Sequence, residues 1–180
     1  VINDISFKVD DGEVLAIVGF SGSGKSTVLK LICGLIPFDN GEVITSEGDI
    51  ATVFQYSALF DSLNVFDNIS FALRERKDLR KKYTESDLKK IVSQKLELVG
   101  LQGIENKFPS ELSGGMQKRV SFARAIVTKP NTILYDEPTA GLDPSGTNDM
   151  LNLIQKLKGE GKTIFVITHD MNHALAIGDE

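Results

Sequence analysis

The stretch Gly19–Ser26 reads Gly-Phe-Ser-Gly-Ser-Gly-Lys-Ser and constrains the fold more than any other part of the sequence. It matches the pattern G-x-x-x-x-G-K-[ST] of the phosphate-binding loop, or P-loop. The apolar run Val14–Val18 precedes it, and Val28, Leu31 and Ile32 follow it at helical spacing. Because a strand, a glycine-rich turn and a helix in this order form the context in which the pattern binds phosphate, we predict a nucleotide-binding site here.

The residue types of the loop fit the chemistry of phosphate. Gly19, Gly22 and Gly24 let successive backbone N–H groups converge on phosphate oxygens, and the following helix points its positive end at them. Lys25 is predicted to reach the β- and γ-phosphates, and the Ser26 hydroxyl to bind Mg²⁺. The predicted phosphate-binding set also includes the other hydroxyl residues of the stretch and of the first helical turn, Ser21, Ser23 and Thr27.

A second group of functional side chains follows the apolar run Ile133–Tyr135. Asp136 and Glu137 stand where a parallel strand delivers side chains to the carboxyl edge of a sheet, the edge at which open α/β sheets bind ligands. We expect Asp136 to hold Mg²⁺ through water, and Glu137 to orient or deprotonate the attacking water. Since ordinary strands also end in Asp-Glu, this assignment depends on the presence of the P-loop.

The segment Leu112–Met116 reads Leu-Ser-Gly-Gly-Met and opens a predicted helix. Ser113 is a natural N-cap, and capping alone would explain it. A Ser-Gly-Gly helix start also suits an anion, because it exposes N–H groups and a hydroxyl. Because the chain already has one P-loop, Ser113, Gly114 and Gly115 are predicted to serve the nucleotide held by another copy.

Taken together, the motifs resemble those of ATP-binding cassettes of ABC-type systems. The P-loop, Leu-Ser-Gly-Gly, the Asp-Glu strand end, Ala140–Pro144 and Thr168–Asp170 follow one another in that family's order over essentially the whole chain. The resemblance implies an α/β fold: a P-loop NTPase (RecA-like) core with a mostly parallel sheet, plus a helical subdomain that holds the signature. It also implies a Mg²⁺-dependent ATPase with two ATP molecules sandwiched head to tail in a dimer.

The same resemblance gives roles to residues that the pattern alone would not single out. It equates Gln55 with the glutamine that contacts Mg²⁺ and water and senses the membrane partner. It equates Asp143 with the residue that crosses the dimer interface, and His169 with the histidine that contacts the γ-phosphate. Outside the family, a lone histidine after a strand is more often structural. The implied catalytic set is Lys25, Gln55, Glu137 and His169.

A finer resemblance is to the Mla-type cassettes, which power lipid movement with Mce-domain partners. It rests on Ala58–Ile69, close after Gln55, and on Met116 with Lys118–Val120. It implies phospholipid or related lipid transport, with integral-membrane permease subunits, a second cassette subunit in a homodimer and an Mce-domain lipid-binding protein. The implied location is peripheral, on the cytoplasmic face of the inner membrane.

Two alternatives to lipid transport stay open at this point. One is a cassette for another solute, and the other is a soluble ABC ATPase of DNA repair or translation. Ser113 follows Lys25 by 88 positions, which leaves no room for the long insertion of coiled-coil repair ATPases. The formal net charge of −5 argues against a nucleic-acid binder, so we expect no nucleic-acid partner.

Composition sets further limits on the chain. Its 180 residues suffice for one α/β domain with a small subdomain, and its single cysteine excludes an internal disulfide. No apolar run approaches the roughly 20 residues that cross a bilayer, so a membrane role would require a partner. The stretch Arg74–Lys90 has eight Lys/Arg and four Asp/Glu, which we interpret as a solvated helical face.

Hydrophobic periodicity predicts the order of the elements. Strands are predicted over residues 5–9, 14–18, 41–44, 50–54, 132–135 and 163–167, and helices after the P-loop, over 84–100, over 113–127 and over 145–158. We expect one cassette within a longer chain, with residues 1–55 and 116–180 as the catalytic core and 56–115 as the helical subdomain. Only 30 positions separate Lys25 from Gln55, so a β-rich segment is expected to be trimmed there.

Overall fold

A computed structural model of the chain describes residues 2–20, 22–45 and 49–178. Strands of this part form one sheet: β1 (Val14–Val18), β2 (Ile50–Val53), β3 (Thr132–Asp136) and β4 (Thr163–Thr168). Their order across the sheet is β1-β4-β3-β2, and each neighbouring pair is parallel. The predicted α/β fold with a parallel sheet is confirmed.

The helices alternate with the strands or lie between β2 and β3. In chain order they are α1 (Lys25–Ile32), α2 (Val65–Glu75), α3 (Glu85–Leu98), α4 (Gly114–Ala125), α5 (Pro144–Gly159) and α6 (Met171–Ile177), with a short 3₁₀ helix at Pro109–Glu111. The predicted helical stretches are confirmed, and α3 begins with a capping box between Thr84 and Asp87. The box satisfies N–H groups that the first helical turn leaves without intrahelical partners.

The strands are apolar along most of their length because helices cover the sheet. Leu134 in β3 is fully buried, and α1 packs on it through Leu29. Ile167 of β4 completes this core cluster. The packing fixes the first turn of α1, and with it the P-loop, close to the carboxyl end of β3.

The described chain forms two compact units. The first contains the whole sheet and comprises residues up to Gln55, Pro130–Ala140 and those from Ile154 onward. The second comprises Tyr56–Lys129 and Gly141–Leu153, and its core is the packed group α2, α3 and α4. The division into 1–55, 56–115 and 116–180 stays a prediction, whereas the compact units assign α4 whole to the second unit.

The basic stretch of the second unit is on its surface. Arg74 pairs with Asp67 at 3.0 Å and with Glu85 at 2.9 Å, and Arg76 pairs with Asp78 at 2.8 Å. The lysines between them, Lys77, Lys81 and Lys82, are exposed. This arrangement agrees with the interpretation of a solvated face.

Two predicted strands are wrong: residues 5–9 and 41–44 form no ladder with any described residue. A strand requires a neighbour that accepts and donates backbone hydrogen bonds, and β1 pairs with β4 alone among the described strands. The apolar side chains of residues 5–9 are therefore poorly buried. Ile5 is 55% exposed, and the Phe7 ring makes a tilted contact with the Phe165 ring, with centroids 6.1 Å apart. Residues 33–45 supply no partner strand either, and the trimming of a β-rich segment before Gln55 stays a prediction.

Candidate functional site

The P-loop leads directly into α1, whose N-cap is Gly24. Gly24 has φ 94° and Gly22 has φ 82°, a left-handed conformation that glycine adopts without strain. Because Gly24 has no side chain, this N-cap residue offers no side-chain acceptor to the first N–H groups of α1. Such a helix start binds phosphate through its N–H groups and its positive dipole end.

Close packing explains another glycine of the loop. A Cβ on Gly19 would lie 3.0 Å from the Ser23 hydroxyl, so a larger residue would require the Ser23 side chain to move. Phe20 is 91% exposed, so its side chain faces outward. The predicted phosphate ligand Ser21 lies outside the described residues.

The Lys25 side chain folds back over this loop. Its Nζ donates to the backbone carbonyls of Gly19 at 2.6 Å and Phe20 at 2.9 Å. The ammonium is thereby held at the rim of the cavity that the loop encloses, close to where phosphate oxygens would meet the N–H groups of α1.

Ser26 and Asp136 meet at the carboxyl end of β3. The Ser26 hydroxyl donates to Asp136 Oδ1 at 3.2 Å, although 110 positions separate the two residues. A hydroxyl and a carboxylate are ligands that suit Mg²⁺. No group of three or more His, Cys, Asp or Glu side chains that could hold a metal occurs in the described ranges, so this pair fits only an ion whose other ligands come from phosphate, water or an amide.

Glu137 and His169 also line the site. His169 Nδ1 lies 3.0 Å from each carboxylate oxygen of Glu137, whose side chain is 13% exposed. Glu137 has φ 51°, an uncommon conformation for a residue with a side chain. Its N–H donates to the Ile167 carbonyl of β4 at 2.8 Å, which holds this conformation in place. The arrangement presents a fixed carboxylate that can accept a proton from water.

These elements enclose one cavity of about 460 Å³ in the first unit. That volume lies within the range of small-molecule sites. The structure therefore brings together the P-loop, the amide of Gln55, the carboxylate of Glu137 and the imidazole of His169. The residues that line the cavity are Gly22, Gly24, Lys25, Ser26, Thr27, Gln55, Glu137 and His169.

The remaining predicted nucleotide contacts belong to the second unit. The Ser113 hydroxyl accepts from Met116 N at 3.3 Å, which confirms it as the N-cap of α4. A Cβ on Gly114 would meet nothing within 4 Å, whereas one on Gly115 would contact Leu142 at 3.5 Å. Asp143 Oδ1 accepts from Gly146 N at 2.7 Å in the first turn of α5. None of the four lines the described cavity.

The sequence did not indicate a hydrogen-bonded network inside the second unit. The Arg124 guanidinium donates to the Ala58 carbonyl at 2.9 Å and lies 5.2 Å from the centroid of the Phe60 ring. Asn68 is fully buried and donates to the carbonyls of Phe60 and Leu63. Burial lowers the pKa of Arg124 below its ordinary value. No sequence pattern signals such a network, because its members contact each other only through the fold.

Comparison with protein families agrees with the geometry. The profile of the family described as "ABC transporter" matches residues 2–140. No described helix is both long enough and apolar enough to cross a membrane.

Curated relatives cover nearly the whole chain. The chain is 43% identical over 178 residues to the chloroplastic protein TRIGALACTOSYLDIACYLGLYCEROL 3 of Arabidopsis thaliana, with 87% of this chain and 50% of that protein covered. It is 40% identical over 192 residues to the probable ribonucleotide transport ATP-binding protein mkl of Mycobacterium leprae, with 98% and 54% covered. It thus spans about half the length of these relatives.

Solved structures share the fold. A metal-chelate type ABC transporter in an inward-facing conformation matches with a TM-score of 0.84 and 29% identity, covering 97% of this chain and 70% of that one. A dimeric ATP-binding cassette in a post-hydrolysis state, bound to ADP and Pi, matches with a TM-score of 0.82 and 32% identity, covering 94% and 80%.

Proposed function

The chain belongs to the ABC transporter family, and from this premise we propose that it binds and hydrolyses ATP to energise a membrane transporter. The observation that carries the proposal is the cavity lined by the P-loop, by Ser26, whose hydroxyl donates to Asp136, and by the Glu137–His169 pair. Each group is of the type that phosphoryl transfer to water requires: phosphate-binding N–H groups, a cation, a metal-binding pair and a base.

The phosphates would bind at the start of α1. The N–H groups after Gly24 would hold their oxygens, and Lys25 would leave the carbonyls of Gly19 and Phe20 to meet the β- and γ-phosphates. A charge-assisted bond to phosphate is stronger than a bond to a neutral carbonyl, which favours this exchange. The oxygens of Ser26 and Gln55 would hold Mg²⁺, with Asp136 acting through water.

Hydrolysis requires water to be oriented and deprotonated beside the γ-phosphate. Mg²⁺ supplies neutralisation of the charge on the phosphate oxygens. The Glu137 carboxylate would orient the water and accept its proton, and its restrained backbone limits the positions that the carboxylate can take. His169, 3.0 Å from both carboxylate oxygens, would hold Glu137 and contact the γ-phosphate from its exposed side.

A second copy of the chain would complete each site. Ser113, Gly114 and Gly115 would contact the nucleotide held by the partner copy, and Asp143 would lie at the shared interface. The supporting observation is that the start of α4 carries the features of an anion-binding helix end while the cavity is lined by first-unit residues alone. The similarity to a dimeric ATP-binding cassette supports the same arrangement.

The membrane partners would be integral-membrane permease subunits, with the cassette on the cytoplasmic face of the inner membrane. In the second unit, the rings of Phe60 and Phe71 contact each other at a tilt of 46°, with centroids 4.8 Å apart, and the two residues are 42% and 40% exposed. Exposed neighbouring aromatic rings suit the docking of a helix from a permease. An Mce-domain protein would be the further partner of a lipid transporter.

Lipid is the transported substrate that we favour. The segment Ala58–Ile69 resembles Mla-type cassettes, and the chloroplastic relative takes its name from a galactolipid. A cassette for another solute is the second candidate, because another relative is named for sulfate/thiosulfate import, at 38% identity over 189 residues with 99% of this chain and 55% of that protein covered. Co-purification of the permease, followed by lipid and solute transport in vesicles, separates the two.

The ATPase is tested by Glu137→Gln. The amide cannot accept the proton of water, so we expect ATP affinity to stay within about twofold while turnover falls by roughly 10²- to 10³-fold, as for removal of a group that acts in the transition state. Steady-state hydrolysis and ATP binding are measured on the same preparation. Near-normal hydrolysis by this variant would remove Glu137 from the role, and no hydrolysis by the wild type with Mg²⁺ would contradict the proposed function.

A further inference from the structure

The turn after β3, which carries Glu137, is tied to its surroundings on more than one side. The N–H of Glu137 donates to Ile167 O at 2.8 Å, and its carbonyl accepts from Ala140 N at 3.2 Å. Its φ of 51° costs conformational energy for a residue with a side chain. A strained turn keeps its shape only when its neighbours hold it.

One of those neighbours is on α6. The Thr139 hydroxyl, in the same turn, lies 3.1 Å from His173 Nδ1, and Thr139 is only 8% exposed. The contact joins residues 34 positions apart and links the turn to the first turn of α6. A buried hydroxyl that lost its partner would be left unsatisfied, so the bond holds both ends firmly.

The start of α6 is fixed as well. The Asp170 carboxylate caps the helix by accepting from Asn172 N at 2.9 Å and from His173 N at 3.2 Å. Its second oxygen lies 3.5 Å from His173 Nδ1. Asp170 directly follows His169, the residue that contacts the Glu137 carboxylate.

These contacts close a ring. It runs from Glu137 along its turn to Thr139, across to His173, back along the start of α6 to His169, and from His169 Nδ1 to Glu137. The Glu137 carboxylate and the His169 imidazole are therefore kept at a fixed separation by contacts on two sides. His173 is absent from the cavity lining, so it acts through Thr139.

We propose that His173 is a positioning residue for ATP hydrolysis, which tethers the turn of Glu137 to α6 through Thr139. The inference rests on the proposed function, in which Glu137 orients water. It assigns no contact with ATP to His173 or Thr139. Their loss should therefore disturb the geometry of the carboxylate and leave the P-loop untouched.

Four variants test the tether by steady-state ATP hydrolysis with Mg²⁺. Thr139→Val removes the hydroxyl at nearly constant volume, and His173→Ala removes the imidazole. Each should lower kcat by roughly ten- to a hundredfold, the scale expected when a catalytic group is misplaced by about 1 Å, with KM for ATP within about twofold. Thr139→Ser keeps the hydroxyl, and His173→Asn places an amide near the position of Nδ1, so both should retain most of the wild-type kcat.

Two controls make the result specific. Leu175→Ala, on the same helix and 76% exposed in the wild type, should hydrolyse ATP normally. The double variant Thr139→Val/His173→Ala should be no slower than either single variant, because both changes break the same bond. If Thr139→Val does not fold, the test is the kcat of His173→Ala against that of His173→Asn. A lower kcat in His173→Ala alone would support the proposal, and equal values would overturn it.

A wild-type kcat in Thr139→Val or His173→Ala would overturn the proposal, and so would losses that multiply in the double variant. If the wild type itself does not hydrolyse ATP, the proposed function fails, and the tether is judged by hydrogen exchange at the Ala140 amide. At least tenfold faster exchange in Thr139→Val would then support the tether, and unchanged exchange would refute it.

Discussion

Two helix starts, those of α1 and α4, use the same physical property in opposite ways. Both leave N–H groups without intrahelical partners, and both carry the positive end of a helix dipole. α1 begins at a glycine and keeps these donors open toward its cavity, whereas α4 begins at Ser113, whose hydroxyl accepts from Met116 N. The first start belongs to a cavity that the first unit encloses alone. The start of α1 thus lies in a cavity of its own unit, whereas under the proposed function the start of α4 would meet the nucleotide of a second copy.

The largest effect should come from Lys25→Ala, at the first helix start. Removal of the ammonium leaves the charge of the β- and γ-phosphates without its main partner from this chain, so we expect ATP affinity or turnover to fall by about 10²- to 10³-fold. Fluorescent-nucleotide binding and phosphate release measure the two quantities. Lys30→Ala, an exposed lysine in the last turn of the same helix, is the matched control. Equal behaviour of the two variants would contradict the P-loop assignment.

The second prediction concerns the start of α4. A Cβ on Gly114 meets nothing within 4 Å, so Gly114→Asp fits sterically and changes mainly the charge. Its carboxylate should stabilise the helix start but repel a phosphate there. We expect ATP binding by the single chain to survive, while ATP-dependent dimerisation and turnover are largely lost. Gly114→Asn, which has the same shape without the charge, should lose much less.

Mixing the two variants shows which chain each helix start serves. In a heterodimer of Lys25→Ala and Gly114→Asp, both lesions fall into one site if Gly114 acts on the partner's nucleotide, and the other site is wild type. Nucleotide trapping should then recover in part, although neither homodimer traps. If Gly114 acts within its own chain, both sites stay damaged. Isolated heterodimers that trap no more nucleotide than their parents would refute the sandwich arrangement.

A smaller effect separates the two starts by stability. Gly24→Ala should lower the free energy of unfolding by about 1–2 kcal/mol, because a side chain at φ 94° is strained. Ser113→Ala should lower it by about 1 kcal/mol, because it removes the cap. Gly114→Ala introduces neither backbone strain nor the loss of a cap, so it is the control. Urea unfolding measures the free energy of unfolding of all three variants. A Gly24→Ala protein as stable as the wild type would show that the loop can relax around a side chain at this position, and would contradict the prediction.

The smallest effect concerns a third helix start, that of α6, whose cap is a carboxylate. Hydrogen bonds from the N–H groups of His173 and Asn172 lower the pKa of Asp170 below its ordinary value of 3.8. A group with a lowered pKa in the folded state stabilises the fold above its ordinary pKa, and this contribution is lost as the pH falls through the folded-state value. We therefore expect Asp170→Asn to be less stable than the wild type near neutral pH and to approach it below about pH 4. A stability difference that does not change between pH 3 and pH 7 would contradict the prediction.

The sequence predicted the parts of the site that depend on local rules. The P-loop, the strand ends and the cap at Ser113 follow from residue type and spacing, which act over a few positions. The predictions of strands over 5–9 and 41–44 were wrong because a strand requires a pairing partner elsewhere in the chain, which local residue patterns do not reveal. Thr139 and His173 were missed for the same reason, since 34 positions separate them and only the parallel order of β3 and β4 brings their turns together.

The bonds from Lys25 to the carbonyls of Gly19 and Phe20 bear on which nucleotides the loop can distinguish. An incoming ligand can take over the hydrogen bonds of the Lys25 ammonium only if its oxygens are stronger acceptors than these two carbonyls. Charged oxygens of a nucleoside triphosphate do so, because charge-assisted hydrogen bonds are roughly twice as strong as neutral ones. A nucleoside monophosphate has no oxygen at the β or γ position, so we expect it to leave Lys25 on the two carbonyls. We therefore expect the loop to discriminate by the length of the phosphate chain, without any contact to the base or the sugar.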